Sequence, residues 1–109
     1  MNAAVDELKV ILPELRRELA RCLGDELVGL YLYGSYARGE QTSESDIDVL
    51  VVVRDASKRP ELWDLTLNAI AGICLKYDTL VSDVIVSEER FRNEQSPLLI
   101  NVRREGVPI

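Results

Sequence analysis

The sequence contains no histidine, only two cysteines and no long apolar run, and each of these absences excludes a class of function. Without histidine, Ser-His and Cys-His catalysis and the common zinc sites are excluded. Cys22 and Cys74 lie far apart with no C-x-x-C spacing, so we expect two small buried side chains rather than a disulfide, a metal site or a nucleophile. Any bound metal ion must therefore have oxygen ligands.

Positive charge is also scarce in this chain. There are 13 Lys and Arg residues against 19 Asp and Glu, the net charge is −6, and the basic residues are scattered. We therefore expect no direct binding to nucleic acid. No apolar run approaches the roughly 18 residues of a membrane-spanning helix, and the N-terminus has no apolar signal segment. The sequence predicts a cytoplasmic protein without membrane association.

The chain has 109 residues, of which 47% are hydrophobic, and this length suits one domain with one core, spanning residues 1–109. Strand patterns alternate with helix patterns, which predicts the α/β (α+β) class with a small mixed β-sheet flanked by helices. The predicted strands are 27–33, 46–53 and 80–87. The predicted helices are one ending at Gly24 that Pro13 either kinks or restarts, a short one in SYAR, helix 61–77 opened by Pro60, a short one from Glu88, and one from Pro97 to Gly106 with Ser96 as N-cap. QTSES is predicted to be a polar loop and DASKRP a charged connector.

The long helix 61–77 has a broad apolar face, which we expect to pack in the core. Its predicted members are Leu62, Trp63, Leu67, Ile70, Cys74 and Tyr77.

Two aspartates, Asp46 and Asp48, stand at the head of the apolar run DIDVLVVV. In a strand they point to the same face, with their α-carbons about 7 Å apart. A carboxylate buried without a partner is costly, so something must compensate this pair. An isolated D-x-D is weak evidence for a site, because aspartates at strand starts commonly cap turns or face solvent.

The residues before this strand strengthen the case for a functional site. Gly34 and Ser35 end the preceding apolar strand and open a short helix, and ten residues separate Ser35 from Asp46. A strand that leads through glycine into a helix offers backbone N–H groups and a hydroxyl to a phosphate. The two carboxylates would bind one or two hard divalent cations. Phosphate and Mg²⁺ together would compensate both aspartates.

The pattern YGS followed by ten residues and then SDIDVLV resembles the DNA polymerase β-like nucleotidyltransferase superfamily. The segments GSYARGE and SDIDVLV are most similar to the minimal nucleotidyltransferase branch of this superfamily, and the resemblance extends from Leu27 to Gly106. It implies a nucleotide site at Gly34 and Ser35 and a metal site at Asp46 and Asp48.

The resemblance also calls for a third carboxylate on a strand beside the D-x-D strand. Asp83 is the candidate, because it is the only acid within VSDVIV. Strand alternation sets it with Val81 and Ile85 on one face. The competing interpretation is an acid on an edge strand that simply faces water.

In this family an acceptor hydroxyl attacks the α-phosphorus of a nucleoside triphosphate and pyrophosphate leaves. The resemblance implies that Asp46, Asp48 and Asp83 bind two Mg²⁺ ions, that Asp83 also accepts the acceptor's proton, and that ATP donates AMP. It further implies a HEPN-domain toxin as partner, with this chain as its antitoxin. Two alternatives stay open: an antitoxin that acts by occlusion, and a transferase for a small molecule such as an aminoglycoside. The oligomeric state is open, and a homo-oligomer is compatible with the sequence.

Three further residues near the motif are candidates for contact with the nucleotide. Arg38 either neutralises phosphate charge or pairs with Glu40 or Asp46 as a structural brace. Tyr33 and Tyr36 are candidates to contact a nucleotide base, although core packing is the favoured role for Tyr33.

Overall fold

The computed structural model describes residues 5–42, 44–55 and 60–109. Ser43 of the predicted loop QTSES and residues 56–59 of the predicted connector DASKRP lie outside the described residues. The elements are α1 (Val5–Leu23), a 3₁₀ turn (Gly24–Glu26), β1 (Leu27–Tyr33), α2 (Ser35–Arg38), β2 (Ile47–Val53), α3 (Glu61–Tyr77), β3 (Val81–Ser87), α4 (Glu88–Asn93), α5 (Pro97–Glu105) and β4 (Val107–Pro108).

The four strands form one mixed sheet in the order β3-β2-β1-β4. β1 runs antiparallel to both β2 and β4, whereas β2 and β3 are parallel. β2 occupies an interior position, which explains its nearly continuous apolar sequence, because both of its faces are covered. The predicted mixed sheet flanked by helices is confirmed.

Helices cover both faces of the sheet, and the two faces take alternate residues of β2. Ile47, Val49, Val51 and Val53 belong to the larger core cluster, which α1 and α3 close. Leu50 and Val52 belong to a smaller cluster together with Leu99 and Val102 of α5. This alternation matches the prediction and places Asp48 on the α5 side of the sheet, because Asp48 shares a face with Leu50.

α1 is one helix from Val5 to Leu23, with Pro13 inside it, so no second helix starts at the proline. Its buried residues recur every three or four positions, as in an amphipathic helix. They are Leu8, Ile11, Leu15, Leu19 and Leu23. Gly24 follows with φ +55°, the left-handed conformation expected of a glycine that ends a helix.

The prediction of which α3 residues face the core is wrong in part. Trp63 and Leu67 are 48% and 60% exposed, while Thr66 and Ile73 are buried with Leu62 and Ile70. α3 is apolar on more of its circumference than the sheet can cover, so hydrophobicity alone does not reveal which side faces the core.

α5 and β4 form the C-terminal part of the fold. Ser96 caps α5 by accepting a hydrogen bond from the Leu99 N–H, and Pro97 is its first residue, as predicted. β4 was not predicted, because two residues carry no alternation signal; Val107 pairs with Leu32 of β1. Among the described residues, no helix is both long and apolar enough to cross a membrane.

Candidate active site

The turn between β1 and α2 lies directly against the carboxylate of Asp48. In the antiparallel pairing of β1 and β2, Tyr33 is opposite Asp48, and Gly34 is the next residue. Gly34 has φ +76° and ψ −155°, a conformation that only glycine adopts readily. A Cβ at Gly34 would overlap Oδ2 of Asp48 and lie 3.2 Å from its Cγ. Glycine is therefore required both by the backbone and by the neighbouring carboxylate.

Asp46 and Asp48 bring two negative charges together at the start of β2. The backbone N–H of Ile47, between them, donates to the carbonyl of Leu80 and so fixes the start of β2 beside β3. Within the described part of the chain, no hydrogen bond or ion pair joins either carboxylate to another residue. Burial first and the charge of Asp46 second raise the pKa of Asp48, and Arg38 opposes this.

A hard divalent cation fits this pair. Its charge would offset the repulsion that raises the pKa of Asp48, and carboxylate oxygens are the ligands that such an ion prefers. The carboxylate of Asp48 itself occupies the side of Gly34 where a Cβ would be. The site accordingly has oxygen ligands for a metal ion directly beside the glycine turn.

Asp83 lies near this pair but is not gathered into it. In the parallel pairing of β2 and β3, Val49 is opposite Asp83 and Asp48 is opposite Ser82. Paired residues share a face, so Asp83 belongs to the face opposite Asp48. Burial raises the pKa of Asp83. The described residues contain no group of three acidic, cysteine or histidine side chains placed to hold one metal ion.

The charges of Asp48 and Asp83 nevertheless both raise the pKa of Tyr33, the last residue of β1. Burial raises the pKa of Tyr33 first, followed by the charges of Asp48 and Asp83. Register and charge thus place Asp83 on the strand beside the pair and close to the same end of the sheet. β3 is also an edge strand, as the competing interpretation of Asp83 requires.

Arg38 forms the brace that was one of its two predicted roles. Its Nε donates to Glu40 Oε1 at 2.7 Å, and its Nη1 lies 4.0 Å from Glu105 Oε2 at the end of α5. Its side chain remains 46% exposed, and its charge lowers the pKa of Asp48. Glu105 was not anticipated, since a contact between distant positions leaves no local pattern.

Both tyrosines pack against the core. Tyr36 of α2 is buried in the larger core cluster and so is not a surface for a base. Tyr33 is half-buried and packs against the smaller core cluster on the Asp48 face, the role that was favoured for it.

Two surface grooves among the described residues lie away from this site. One groove of about 580 Å³ lies between the first half of α1 and residues Pro108 and Ile109. Another, of about 370 Å³, lies beside Trp63 and the end of β3. Neither is lined by Asp46 or Asp48, so the chemistry of the side chains, and not cavity size, identifies the candidate site.

The profile of the Nucleotidyltransferase domain family matches residues 12–106, which is most of the chain and includes Gly34, Ser35, Asp46, Asp48 and Asp83. The chain belongs to this family. It is therefore a nucleotidyltransferase, and the resemblance seen in the sequence is confirmed.

Relatives of this nucleotidyltransferase include proteins named for protein modification. It is 35% identical over 79 residues to "Putative protein adenylyltransferase MJ0141" of Methanocaldococcus jannaschii, covering 72% of this chain and 79% of that protein. It is 37% identical over 65 residues to "Putative protein adenylyltransferase MJ0604" of the same organism, covering 60% of this chain and 59% of that protein.

Solved structures share the fold. A "putative minimal nucleotidyltransferase" superposes with a TM-score of 0.62 at 24% identity, covering 100% of this chain and 97% of that one. A toxin–antitoxin crystallised with AMP-PNP superposes with a TM-score of 0.56 at 27% identity, covering 86% of this chain and 68% of that one. The first supports the fold alone.

Metal binding at the aspartate pair is measurable as a thermal shift. We expect Mg²⁺ at about ten times its Kd to stabilise the fold by about 1.4 kcal/mol, or roughly 6–11 °C in Tm. The ion binds the ionised pair, so the Tm shift should diminish as the pH falls and Asp48 takes up a proton. Because the pKa of Asp48 is raised, this loss should begin at a higher pH than it would for an aspartate with an ordinary pKa. Asp25→Asn, away from the pair, should keep the shift. An equal shift in Asp46→Asn/Asp48→Asn would contradict the assignment.

Proposed function

We propose that this nucleotidyltransferase transfers AMP from ATP to a hydroxyl group of a partner protein, and that the partner is a HEPN-domain toxin for which this chain is the antitoxin. The observation that carries the proposal is the pair Asp46 and Asp48, with Asp48 directly beneath Gly34, in a member of this family. The named relatives support a protein acceptor, and the toxin–antitoxin neighbour with AMP-PNP supports both the partner class and an adenine nucleotide. ATP use suits a cytoplasmic location.

In the proposed reaction the acceptor oxygen forms a bond to the α-phosphorus of ATP, and the bond to the departing pyrophosphate breaks. Asp46 and Asp48 would hold two Mg²⁺ ions, which supply charge neutralisation and lower the pKa of the attacking hydroxyl. Gly34 brings the turn close to Asp48, and we propose that the backbone of this turn and the Ser35 hydroxyl bind the triphosphate. Arg38, charged and partly exposed next to Glu40, can turn toward the phosphates without a large change in burial.

We propose Asp83 as the third acid, which completes the ion ligands and accepts the proton of the attacking hydroxyl; because its register sets it on the face opposite Asp48, this role requires its side chain to reach the pair at the end of the sheet. Its raised pKa suits a proton acceptor, and β3 is adjacent to β2. Asp83→Asn should then reduce transfer at least about 10²-fold with nucleotide binding retained. An edge acid that only faces solvent would leave the rate unchanged.

The decisive experiment is mass spectrometry of the partner protein after incubation with this chain, ATP and Mg²⁺. The proposal predicts a gain of one or more AMP units, which is absent with Asp46→Asn/Asp48→Asn and present with Asp25→Asn. The double variant should still form the complex yet no longer protect cells from the toxin.

Occlusion is the second candidate, since the toxin–antitoxin neighbour is a complex. It predicts an unmodified partner and full protection by the double variant at normal stoichiometry. Incorporation of nucleotide into small hydroxyl compounds, with the partner unmodified, would instead indicate a small-molecule transferase.

A further inference from the structure

The strand β3 brings a serine to the same face of the sheet as Asp48. In the parallel pairing of β2 and β3, Ser82 is the residue opposite Asp48. Paired residues on neighbouring strands share a face, and the two strands lie about 4.8 Å apart. Asp83, the next residue, belongs to the other face. The side chain that β3 sets beside Asp48 is therefore a hydroxyl and not a carboxylate.

The packing of nearby residues of β3 supports this placement. Side chains two positions apart in a strand point to the same face. Val84, two residues after Ser82, packs against the smaller core cluster, which lies on the Asp48 side of the sheet. Val81 and Ile85 are buried in the larger core cluster on the other side. Register and packing thus agree that Ser82 shares the face of Asp48.

The neighbour of Asp48 on β1 differs from the one on β3. Tyr33 is opposite Asp48 on β1, and it is half-buried against the smaller core cluster. Ser82 is exposed, and its hydroxyl makes no hydrogen bond with another residue in the described part of the chain. The hydroxyl of Ser82 is therefore available to an ion bound by Asp48, whereas the side chain of Tyr33 is held by packing.

A neutral hydroxyl suits an ion site that already has two negative charges. Burial and the charge of Asp46 raise the pKa of Asp48, so a third carboxylate on this face would add to the repulsion. A serine hydroxyl supplies oxygen lone pairs without adding charge. Hard divalent cations take neutral oxygen ligands together with carboxylates. The Asp48 face therefore offers two charged oxygen ligands and one neutral one.

We propose that Ser82 is an oxygen ligand of the divalent cation that Asp48 binds. This inference rests on the proposed function, because the ion is the one that the transfer reaction would use. Ser82 supplies a ligand from β3 in addition to the two aspartates of the neighbouring segment. Mg²⁺ takes six oxygen ligands in octahedral geometry, and each ligand from the protein replaces a water molecule and fixes the position of the ion.

Titration of the full chain with Mn²⁺ alone, in which electron paramagnetic resonance measures the free ion, tests this assignment. Mn²⁺ prefers the same kinds of oxygen ligand as Mg²⁺. Ser82→Ala should raise the Kd for Mn²⁺ about tenfold, and Asp46→Asn/Asp48→Asn should abolish binding. Leu80→Ala is the matched control, because Leu80 is 59% exposed and lies two residues before Ser82, and it should leave the Kd unchanged. Circular dichroism should show that every variant is folded.

A spectroscopic signature separates direct ligation from an indirect effect. Ser82→Cys replaces the hydroxyl oxygen by sulfur, and a thiolate bound to Co²⁺ gives a sulfur-to-metal charge-transfer absorption. This absorption should appear when Ser82→Cys binds Co²⁺. It should be absent from the wild type, whose Cys22 and Cys74 lie on α1 and α3. It should also be absent when Ser82→Cys is combined with Asp46→Asn/Asp48→Asn.

The same measurements distinguish failure of this inference from failure of the proposed function. An unchanged Kd in Ser82→Ala, equal losses in Ser82→Ala and Leu80→Ala, or Co²⁺-bound Ser82→Cys without the sulfur absorption would each overturn the assignment of Ser82. Loss of Mn²⁺ binding in Asp46→Asn/Asp48→Asn would in those cases leave the proposed metal site intact. A wild-type chain that binds no Mn²⁺ would refute both the role of Ser82 and that metal site.

Discussion

Asp46→Asn/Asp48→Asn is expected to reduce nucleotidyl transfer by about 10³-fold or more while the chain stays folded. Losing the ions removes several kcal/mol of transition-state stabilisation, and each 1.36 kcal/mol is a factor of ten in rate. The aspartates make no hydrogen bond or ion pair with another described residue, so their replacement by the similarly shaped Asn breaks neither. The measurement is release of pyrophosphate from ATP in the presence of the acceptor.

Stability gives an independent check on the same variant. In the absence of metal, the raised pKa of Asp48 means that its ionised form is disfavoured in the fold. Stability should therefore fall as pH rises through that pKa, and no penalty remains below the unfolded-state pKa of about 3.9. At neutral pH, Asp48→Asn should have a Tm equal to or above that of the wild type, and the difference should vanish in acid. A marked loss of Tm would show that Asp48 has a structural partner.

Gly34→Ala is expected to destabilise the fold and abolish activity together. The new Cβ would overlap the carboxylate of Asp48, and the backbone of Gly34 occupies a region that alanine rarely adopts. Backbone strain of this kind costs about 1–3 kcal/mol, and the displaced carboxylate adds to it. Chemical denaturation measures the change in unfolding free energy. Transfer should fall at least about 10²-fold, because Asp48 no longer holds its place in the pair.

Two variants separate backbone strain from the collision with Asp48. Gly39 has φ +71°, and a Cβ added there would meet no other atom within 4 Å, so Gly39→Ala should cost only about 1–2 kcal/mol of left-handed strain. Gly34→Ala/Asp48→Ala should recover part of the stability lost by Gly34→Ala alone, since the collision is gone, but no activity. Equal losses in Gly34→Ala and Gly39→Ala would show that the approach to Asp48 costs nothing.

The sequence predicts the central part of the site because that part is encoded locally. Gly34 is set by a turn that needs glycine, and Asp46 and Asp48 by the period of two in one strand. Both signals lie within a short segment, and their spacing brings the turn onto the strand. The same local signals predict the ends of β1 and β2 and the Ser96 cap.

The remainder depends on contacts between distant segments. Alternation within β3 tells which residues of that strand share a face with Asp83. It does not tell which residue of β2 pairs with Asp83, and a shift of one residue in the register between the two strands would move Asp83 to the other face of the sheet. The sequence also does not reveal which side of α3 faces the core, because its apolar residues surround most of the helix. The pairing of Arg38 with Glu105 and the two-residue β4 likewise arise only from the assembled fold.

The most direct test of the proposed chemistry uses ATP labelled at the α-phosphate and, separately, at the γ-phosphate, with Mg²⁺ and the proposed HEPN-domain partner. Nucleotidyl transfer by the Asp46 and Asp48 pair predicts that the α-label becomes bound to the partner, that the γ-label is released as pyrophosphate, and that Asp46→Asn/Asp48→Asn does neither. Transfer of the γ-label to the partner, or undiminished α-label transfer by the double variant, would contradict this chemistry.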